Sequence, residues 1–465
     1  MSGKVAIAEK PVVHIAEVIR HGEQLIIPEV MSIQDAIALL MRQLQYEDET
    51  VEINEDIDAF LWDGALALSK ALSRKFGFAN AEVIPGNWFR PDQKPQMISV
   101  NIDYNETVLV PWGRFSIPGV DGYVQTQYST KDGRIIFKVH CVVKRKFEEV
   151  IRTLIALTRS IAKEESIYKG KAIRFRFYDE DGETIAMPNP QFLDLSNVKE
   201  KELIFSEDVQ NAIETSIFTP IEKSQKCREL KIPLKRGILL SGPYGTGKTL
   251  ASNVSAKKCI DNGWTFLYCQ HADELGEMVR FAKHYEPAVI FCEDIDREVE
   301  GERTVEMDDI LNIIDGIESK HSEIMIILTT NHVENINKAL LRPGRLDAVI
   351  NVLPPDSKAA QRLVMLYARG FIDPSENLKK VGEALNGKIP AVIRECTERS
   401  KLAAIKRHGD DLTEMRITAD DLYEAAKTME LHLKLLEQPK DELSSNEKLG
   451  EALRTVISES VRNKK

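Results

Sequence analysis

The sequence predicts an α/β protein in which a parallel sheet with flanking helices follows a mixed α/β domain and precedes a small helical domain. Three observations predict this fold class. An apolar strand over residues 237–241 runs directly into a glycine-rich loop and a helix, a second apolar strand over 288–292 ends in two acids, and residues 356–435 have the pattern of helices. Strands that alternate with helices are typical of parallel sheets.

The composition and charge are those of a folded globular protein of two or three domains. Of the 465 residues, 43% are apolar and 29% are charged. The 62 Lys and Arg against 73 Asp and Glu give a formal net charge of −11. Such a chain is repelled by nucleic-acid phosphates unless a basic face outweighs the mean charge. We therefore expect no nucleic-acid partner.

Cysteine usage and hydropathy predict a cytoplasmic protein. The six cysteines are scattered and form no CxxC pair, which is typical of reduced core thiols and not of a disulfide or zinc framework. The first twenty residues are interrupted by Lys4, Glu9, Lys10 and Glu17. No later stretch approaches the roughly 18 uninterrupted apolar residues of a membrane span. We expect neither a signal peptide nor a membrane helix.

The first third of the chain predicts a mixed α/β domain. Ser32 followed by Asp35 resembles a helix-capping box, and an Asp-Gly pair between two alternating runs is typical of a tight hairpin turn. The predicted elements are helices from Ser32, over 57–76 and from Phe147, a β-hairpin around Asp132-Gly133, and a strand over 171–178.

The glycine-rich loop predicts phosphate binding. Residues 242–249 read GPYGTGKT, which matches G-x-x-x-x-G-K-[ST] between a strand and a helix. Glycines let backbone N–H groups surround phosphate oxygens, Lys248 balances the β and γ charges, and the Thr249 hydroxyl ligates Mg²⁺. The predicted nucleotide-binding residues are Gly242, Pro243, Tyr244, Gly245, Thr246, Gly247, Lys248, Thr249 and Leu250.

The second apolar strand ends in Glu293 and Asp294. Two carboxylates beside a phosphate loop suit nucleotide hydrolysis, because one can hold the water shell of the metal while the other polarises the attacking water. We predict Thr249 and Glu293 as the metal ligands. The predicted cofactors are ATP and Mg²⁺.

These segments, together with DDILNIIDGIE, IMIILTTNH and LLRPGRLD, follow the order of the AAA ATPases, and the resemblance covers roughly residues 200–435. It implies an AAA core with a helical lid in a ring-forming, hexameric, Mg²⁺-dependent ATPase. It also implies that Asn331 is the sensor that positions the lytic water. Arg342 and Arg345 resemble the arginine fingers that reach the nucleotide of a neighbouring subunit.

The chain departs from the family pattern in three places. The acids read Glu293-Asp294 where the family has Asp-Glu, so Asp294 occupies the position of the catalytic base, with exchanged roles as the alternative. Pro390-Ala391 replaces the Gly-Ala pair of the second-sensor helix. The pore loop of the family is reduced to Leu275-Gly276, and Phe281 and Tyr285 are expected to pack on a helix face instead of gripping a peptide.

The predicted domains are an N-terminal client-binding or adaptor domain (1–195), a large ATPase subdomain (196–355), a helical lid (356–438) and a C-terminal helical tail (439–465). The leading hypothesis is a homo-oligomeric machine that remodels a protein client bound by its N-terminal domain, without strong threading through a pore. The alternative is a nucleotide-gated assembly or scaffold protein with weak ATPase activity. Membrane association is not expected.

Overall fold

The computed structural model of the chain has two compact units. The first unit combines residues up to 194 with 259–292 and 322–325, and the second combines 195–258, 293–295 and residues from 326 onwards. The residues that the structure describes are 19–21, 24–26, 32–86, 88, 91–131, 133–174, 176–178, 181, 183, 185, 187–295, 322–332, 346–408 and 415–437.

Helices and strands are mixed in the first 192 residues. They are β1 (Ile19–His21), β2 (Gln24–Ile26), α1 (Ile33–Asp48), β3 (Thr50–Ile57), α2 (Leu61–Phe76), β4 (Asn80–Glu82), β5 (Gln96–Asp103), β6 (Glu106–Trp112), β7 (Arg114–Ser116), β8 (Gly122–Lys131), β9 (Arg134–Lys144), α3 (Glu148–Glu164), β10 (Ala172–Arg174) and β11 (Gln191–Phe192).

Strands alternate with helices in the middle of the chain, and helices follow alone. The elements are α4 (Glu207–Ile213), α5 (Thr219–Glu222), α6 (Ser224–Glu229), β12 (Arg236–Ser241), α7 (Lys248–Asp261), β13 (Thr265–Cys269), α8 (Leu275–Ala282), β14 (Ala288–Cys292), β15 (Ile324–Thr330), β16 (Ala348–Asn351), α9 (Ser357–Ala368), α10 (Lys379–Ala384), α11 (Pro390–His408) and α12 (Ala419–Glu437).

An antiparallel sheet in the order β3-β9-β8-β7-β4 forms the centre of the N-terminal region. β8 and β9 pair from Gly122↔Val143 to Lys131↔Arg134, which confirms the predicted hairpin. The capping box is also confirmed, because the Ser32 hydroxyl accepts the Asp35 N–H at 3.1 Å and α1 begins at Ile33. The helix from Phe147 is confirmed as α3, which begins at Glu148.

Two predicted boundaries in this region are wrong. The helix expected from residue 57 begins at Leu61, because Ile57 still belongs to β3 and pairs with Phe137 of β9. The strand expected over 171–178 is limited to β10, residues 172–174. Beyond it the Phe177 N–H donates to the Glu274 carboxylate at 3.0 Å and not to a strand ladder. In the first case strand pairing extends into the predicted helix, and in the second the alternation of apolar residues extends further than the strand pairing.

The first unit also contains parallel strands in the order β10-β13-β14, with β11 antiparallel to β10 at the edge. Aromatic rings, among them Phe60, Tyr168, Phe281 and Tyr285, pack together in this unit. Phe281 of α8 lies 5.1 Å from Phe60 and 4.9 Å from Tyr285 between ring centroids, and Tyr168 lies 5.8 Å from Tyr285. Phe281 and Tyr285 are each 3% exposed, which confirms that they pack internally.

Asp63 of α2 connects polar groups inside this cluster. Its carboxylate accepts the Ser166 hydroxyl at 2.6 Å and the Ile167 N–H at 3.1 Å, and it also accepts the Tyr285 hydroxyl. The Tyr285 oxygen in turn accepts the Phe60 N–H at 3.0 Å. The start of α2, with Phe60 immediately before it, is therefore joined to α8 and to Tyr285 by both apolar and polar contacts.

The second unit contains strands in the order β15-β12-β16 and the helices α9 to α12. β12 and β16 are parallel, with Ile238 opposite Ala348. The helices pack on a buried apolar core of their own, which includes Leu363, Val381, Ile393, Cys396 and Leu422. This arrangement gives the helical domain that the sequence predicts after the parallel sheet.

All six cysteines are buried and free, as predicted. None of the helices in the described part of the chain has both the length and the hydropathy that a bilayer crossing requires.

Candidate functional site

The glycine-rich loop, residues 242–247, lies between the end of β12 and the beginning of α7, as the motif requires. Its three glycines have positive φ angles of 150°, 74° and 105° at Gly242, Gly245 and Gly247. A Cβ at Gly242 would lie 2.2 Å from the Val352 carbonyl oxygen. Only glycine fits there, because the backbone conformation and the close approach both exclude a side chain.

Lys248, the first residue of α7, points back into this loop. Its ammonium donates to the carbonyl oxygens of Gly242 at 2.6 Å and Pro243 at 3.1 Å, and to Asn331 Oδ1 at 2.8 Å. The residue is 8% exposed. A buried charge needs such partners, so these acceptors hold the ammonium inside the loop where phosphate oxygens would bind.

Asn331 connects this lysine to the acids. Its amide nitrogen donates to Asp294 Oδ1 at 2.8 Å while its amide oxygen accepts from Lys248. Asp294 in turn donates its backbone N–H to Thr329 Oγ1 at 2.9 Å. The structure therefore brings together three predicted site residues, from the start of α7, the end of β15 and the segment after β14.

The backbone of Asp294 adopts a left-handed conformation, with a φ of 46°. An L-residue in a sparsely populated region costs ~1–3 kcal/mol, and such residues cluster at functional sites. Glu293, immediately before it, is half-buried, and its Oε1 atom is shielded from solvent. The two neighbouring carboxylates thus have different surroundings, which suits a division of roles between them.

The donor set fits magnesium bound together with a nucleotide. Mg²⁺ is commonly held by one or two protein oxygens together with substrate phosphates and water, and not by a protein cage. Thr249 is exposed beside the loop and Glu293 follows β14, and both supply oxygen. No group of three or more His, Cys, Asp or Glu that could hold a metal by itself is present among the described residues.

Two apolar residues near the loop were missed by sequence reasoning. A Cβ at Gly247 would lie 3.2 Å from the Phe205 ring, and one at Gly245 would lie 3.3 Å from Ile389. Arg362 donates to the Phe205 carbonyl oxygen and fixes that segment. Neither residue belongs to a motif. The only signal in the sequence is that Phe205 lies just before α4 and Ile389 just before α11.

Residues 238–353 match the family described as "ATPase family associated with various cellular activities (AAA)". This part of the chain is therefore similar to an AAA domain. The 26S proteasome regulatory subunit 8 homolog of Schizosaccharomyces pombe is 32% identical over 42% of this chain and 53% of its own length. The cell division cycle protein 48 homolog of Archaeoglobus fulgidus is 29% identical over 53% of this chain and 35% of its own length. The chain spans about half or less of these relatives.

The fold class expected of an AAA protein is confirmed: a parallel sheet with flanking helices, a helical lid and a preceding α/β region. Arg342 and Arg345, the predicted arginine fingers, lie outside the described residues, as does the tail 439–465. Leu275, where the sequence predicts the reduced pore loop, is fully buried at the start of α8. Pro390 is the first residue of α11.

Proposed function

We propose that this AAA protein is a Mg²⁺-dependent ATPase that assembles into a hexameric ring and remodels a protein partner. The observation that carries the proposal is the hydrogen-bonded series from Lys248 through Asn331 to Asp294. It joins the phosphate loop, the sensor position and the position of the catalytic base in one site. AAA relatives of this chain include an ATP-dependent zinc metalloprotease, FtsH 2 of Sphaerobacter thermophilus, which is 29% identical over 47% of this chain.

The chemistry follows from these partners. Bound Mg²⁺ would neutralise charge on the phosphate oxygens, with Thr249 and Glu293 as its protein ligands. Lys248 exchanges the carbonyl oxygens of the loop for phosphate oxygens when ATP binds. Asn331 remains next to Asp294 and orients the attacking water, whose proton Asp294 accepts. Glu293 as the base is the alternative that the reversed acids leave open.

We propose that the partner is engaged by the N-terminal domain, residues 1–195, and is not threaded through the ring. Threading needs a bulky side chain presented to the pore, whereas Leu275 is fully buried. The α8 helix, which begins at Leu275, packs through Phe281 on Phe60 of the N-terminal region. Phe281 is therefore not available to grip a peptide, which leaves the N-terminal domain as the proposed partner site.

The proposal of a ring is based on the resemblance to the AAA ATPases. Arg342 and Arg345 match the family's fingers, which act only from a neighbouring subunit, so we propose a homo-oligomer. A cytoplasmic location is proposed from the six free, buried cysteines. A nucleotide-gated scaffold with weak ATPase activity is the second candidate, and the reversed acids Glu293-Asp294 favour it.

The decisive test is nucleotide binding and turnover by a matched pair of lysine variants. Lys248→Ala is expected to lose binding of a fluorescent ATP analogue, because it removes the charge that faces the phosphates. Lys257, on the same helix, donates to the Val198 carbonyl oxygen at 2.9 Å instead, so Lys257→Ala should bind as the unaltered protein does. Equal affinity of both variants would refute the phosphate-loop assignment. Binding without turnover would favour the scaffold.

A further inference from the structure

Tyr244 is an exposed aromatic residue within the phosphate loop. It is 59% exposed and lies between Pro243 and Gly245. Its ring contacts His332 in an edge-to-face arrangement, with ring centroids 6.2 Å apart and planes at 73°. His332 directly follows Asn331, and its N–H donates to Thr330 Oγ1 at 3.0 Å. The loop and the end of β15 are therefore joined by an aromatic contact next to the polar one.

The backbone on both sides of Tyr244 is fixed. The Pro243 carbonyl oxygen accepts the Thr246 hydroxyl at 2.9 Å and the Lys248 ammonium at 3.1 Å. Gly245 turns the chain with a φ of 74°. Because these contacts fix the backbone of the loop, they also fix the position from which the Tyr244 side chain extends.

The two connections respond differently to nucleotide. The polar connection is the hydrogen bond from the Lys248 ammonium to Asn331, and phosphate oxygens would compete for that ammonium when ATP binds. The aromatic one is a contact between the side-chain rings of Tyr244 and His332, and it does not depend on the Lys248 ammonium. We propose that Tyr244 and His332 are a positioning pair that keeps Asn331 in register with the phosphate loop when Lys248 turns to ATP. This inference rests on the proposed ATPase activity and deepens it.

The expected effects follow from the strength of aromatic pairs. Loss of such a pair is expected to lower a rate constant by between about two-fold and about ten-fold when the contact is made in the transition state. Tyr244→Ala and His332→Ala should each lower kcat by this factor and leave KM for ATP within about two-fold, because the phosphate-binding backbone remains. Tyr244→Phe keeps the ring and should therefore restore most of the kcat that Tyr244→Ala loses.

The test is a double-mutant cycle with two readouts. The double variant should be no slower than either single one, and Leu402→Ala, at an exposed position of α11, is the control. Hydrogen exchange of the backbone amides of residues 242 and 244–247 in nucleotide-free protein should rise in Tyr244→Ala and His332→Ala, again without additivity.

Additive effects, a Tyr244→Phe variant as slow as Tyr244→Ala, or a change in KM alone would overturn the positioning pair. Absence of turnover in the unaltered protein would instead refute the proposed activity. The hydrogen-exchange measurement would then test the positioning pair by itself. Unchanged exchange in both single variants would overturn the proposed pair.

Discussion

Asp63 provides a quantitative test of the contact between the N-terminal region and α8. Burial raises the pKa of the Asp63 carboxyl from 3.8 to about 6, although hydrogen bonds from Ser166, Ile167 and Tyr285 oppose the rise. A raised pKa means that the folded state binds the proton more tightly than the unfolded state. The difference corresponds to ~3 kcal/mol of stability that is present below pH 4 and is lost as the pH rises through 6.

The perturbation is Asp63→Asn, which keeps the shape of the side chain and removes its titration. The free energy of unfolding of the original protein minus that of the variant should therefore fall by ~3 kcal/mol between pH 4 and pH 7. Other carboxylates titrate in the same range, but their effects cancel in this difference. Asp121→Asn, at an exposed position of the same region, controls for the loss of one charge.

Calorimetric unfolding of the full chain at a series of pH values provides the measurement. A difference that stays flat, or that grows with pH, would refute the reasoning. It would mean that Asp63 is hydrated or ionised at low pH, and that the contact between α2 and Tyr285 is not the closed, buried one described above.

Three further predictions concern the ATPase cycle. Asp294→Asn is expected to bind ATP and trap it unhydrolysed, as measured by phosphate release; if Glu293→Gln stops turnover while Asp294→Asn does not, the roles of the acids are exchanged. Arg345→Ala should keep ATP binding and lose most hydrolysis, and mixing it with Lys248→Ala should restore some activity at hybrid interfaces; full hydrolysis by a monomer would contradict this. A folded, degradation-tagged fluorescent reporter should keep its fluorescence when the protein and ATP are added, and robust ATP-driven unfolding would restore a threading mechanism.

Local signals in the sequence were sufficient to predict several elements of this protein and its phosphate loop. Three features depend on residues only a few positions apart: the loop GPYGTGKT, the helix start at Ser32 and the turn at Gly133. The sequence alone could therefore predict them. Backbone conformation and capping are decided by near neighbours. The order of the AAA motifs predicted the parallel sheet for the same reason, because each strand has its own apolar run.

Tertiary structure decided which of these pieces meet. Lys248 and Asn331 are 83 residues apart, and Phe60 and Tyr285 are 225 apart, so no pattern along the chain states either contact. The N-terminal contact with α8, the Tyr244–His332 pair and the early end of β10 all depend on packing between distant segments. Sequence periodicity shows which face of an element is apolar, but only the folded chain determines what that face is buried against.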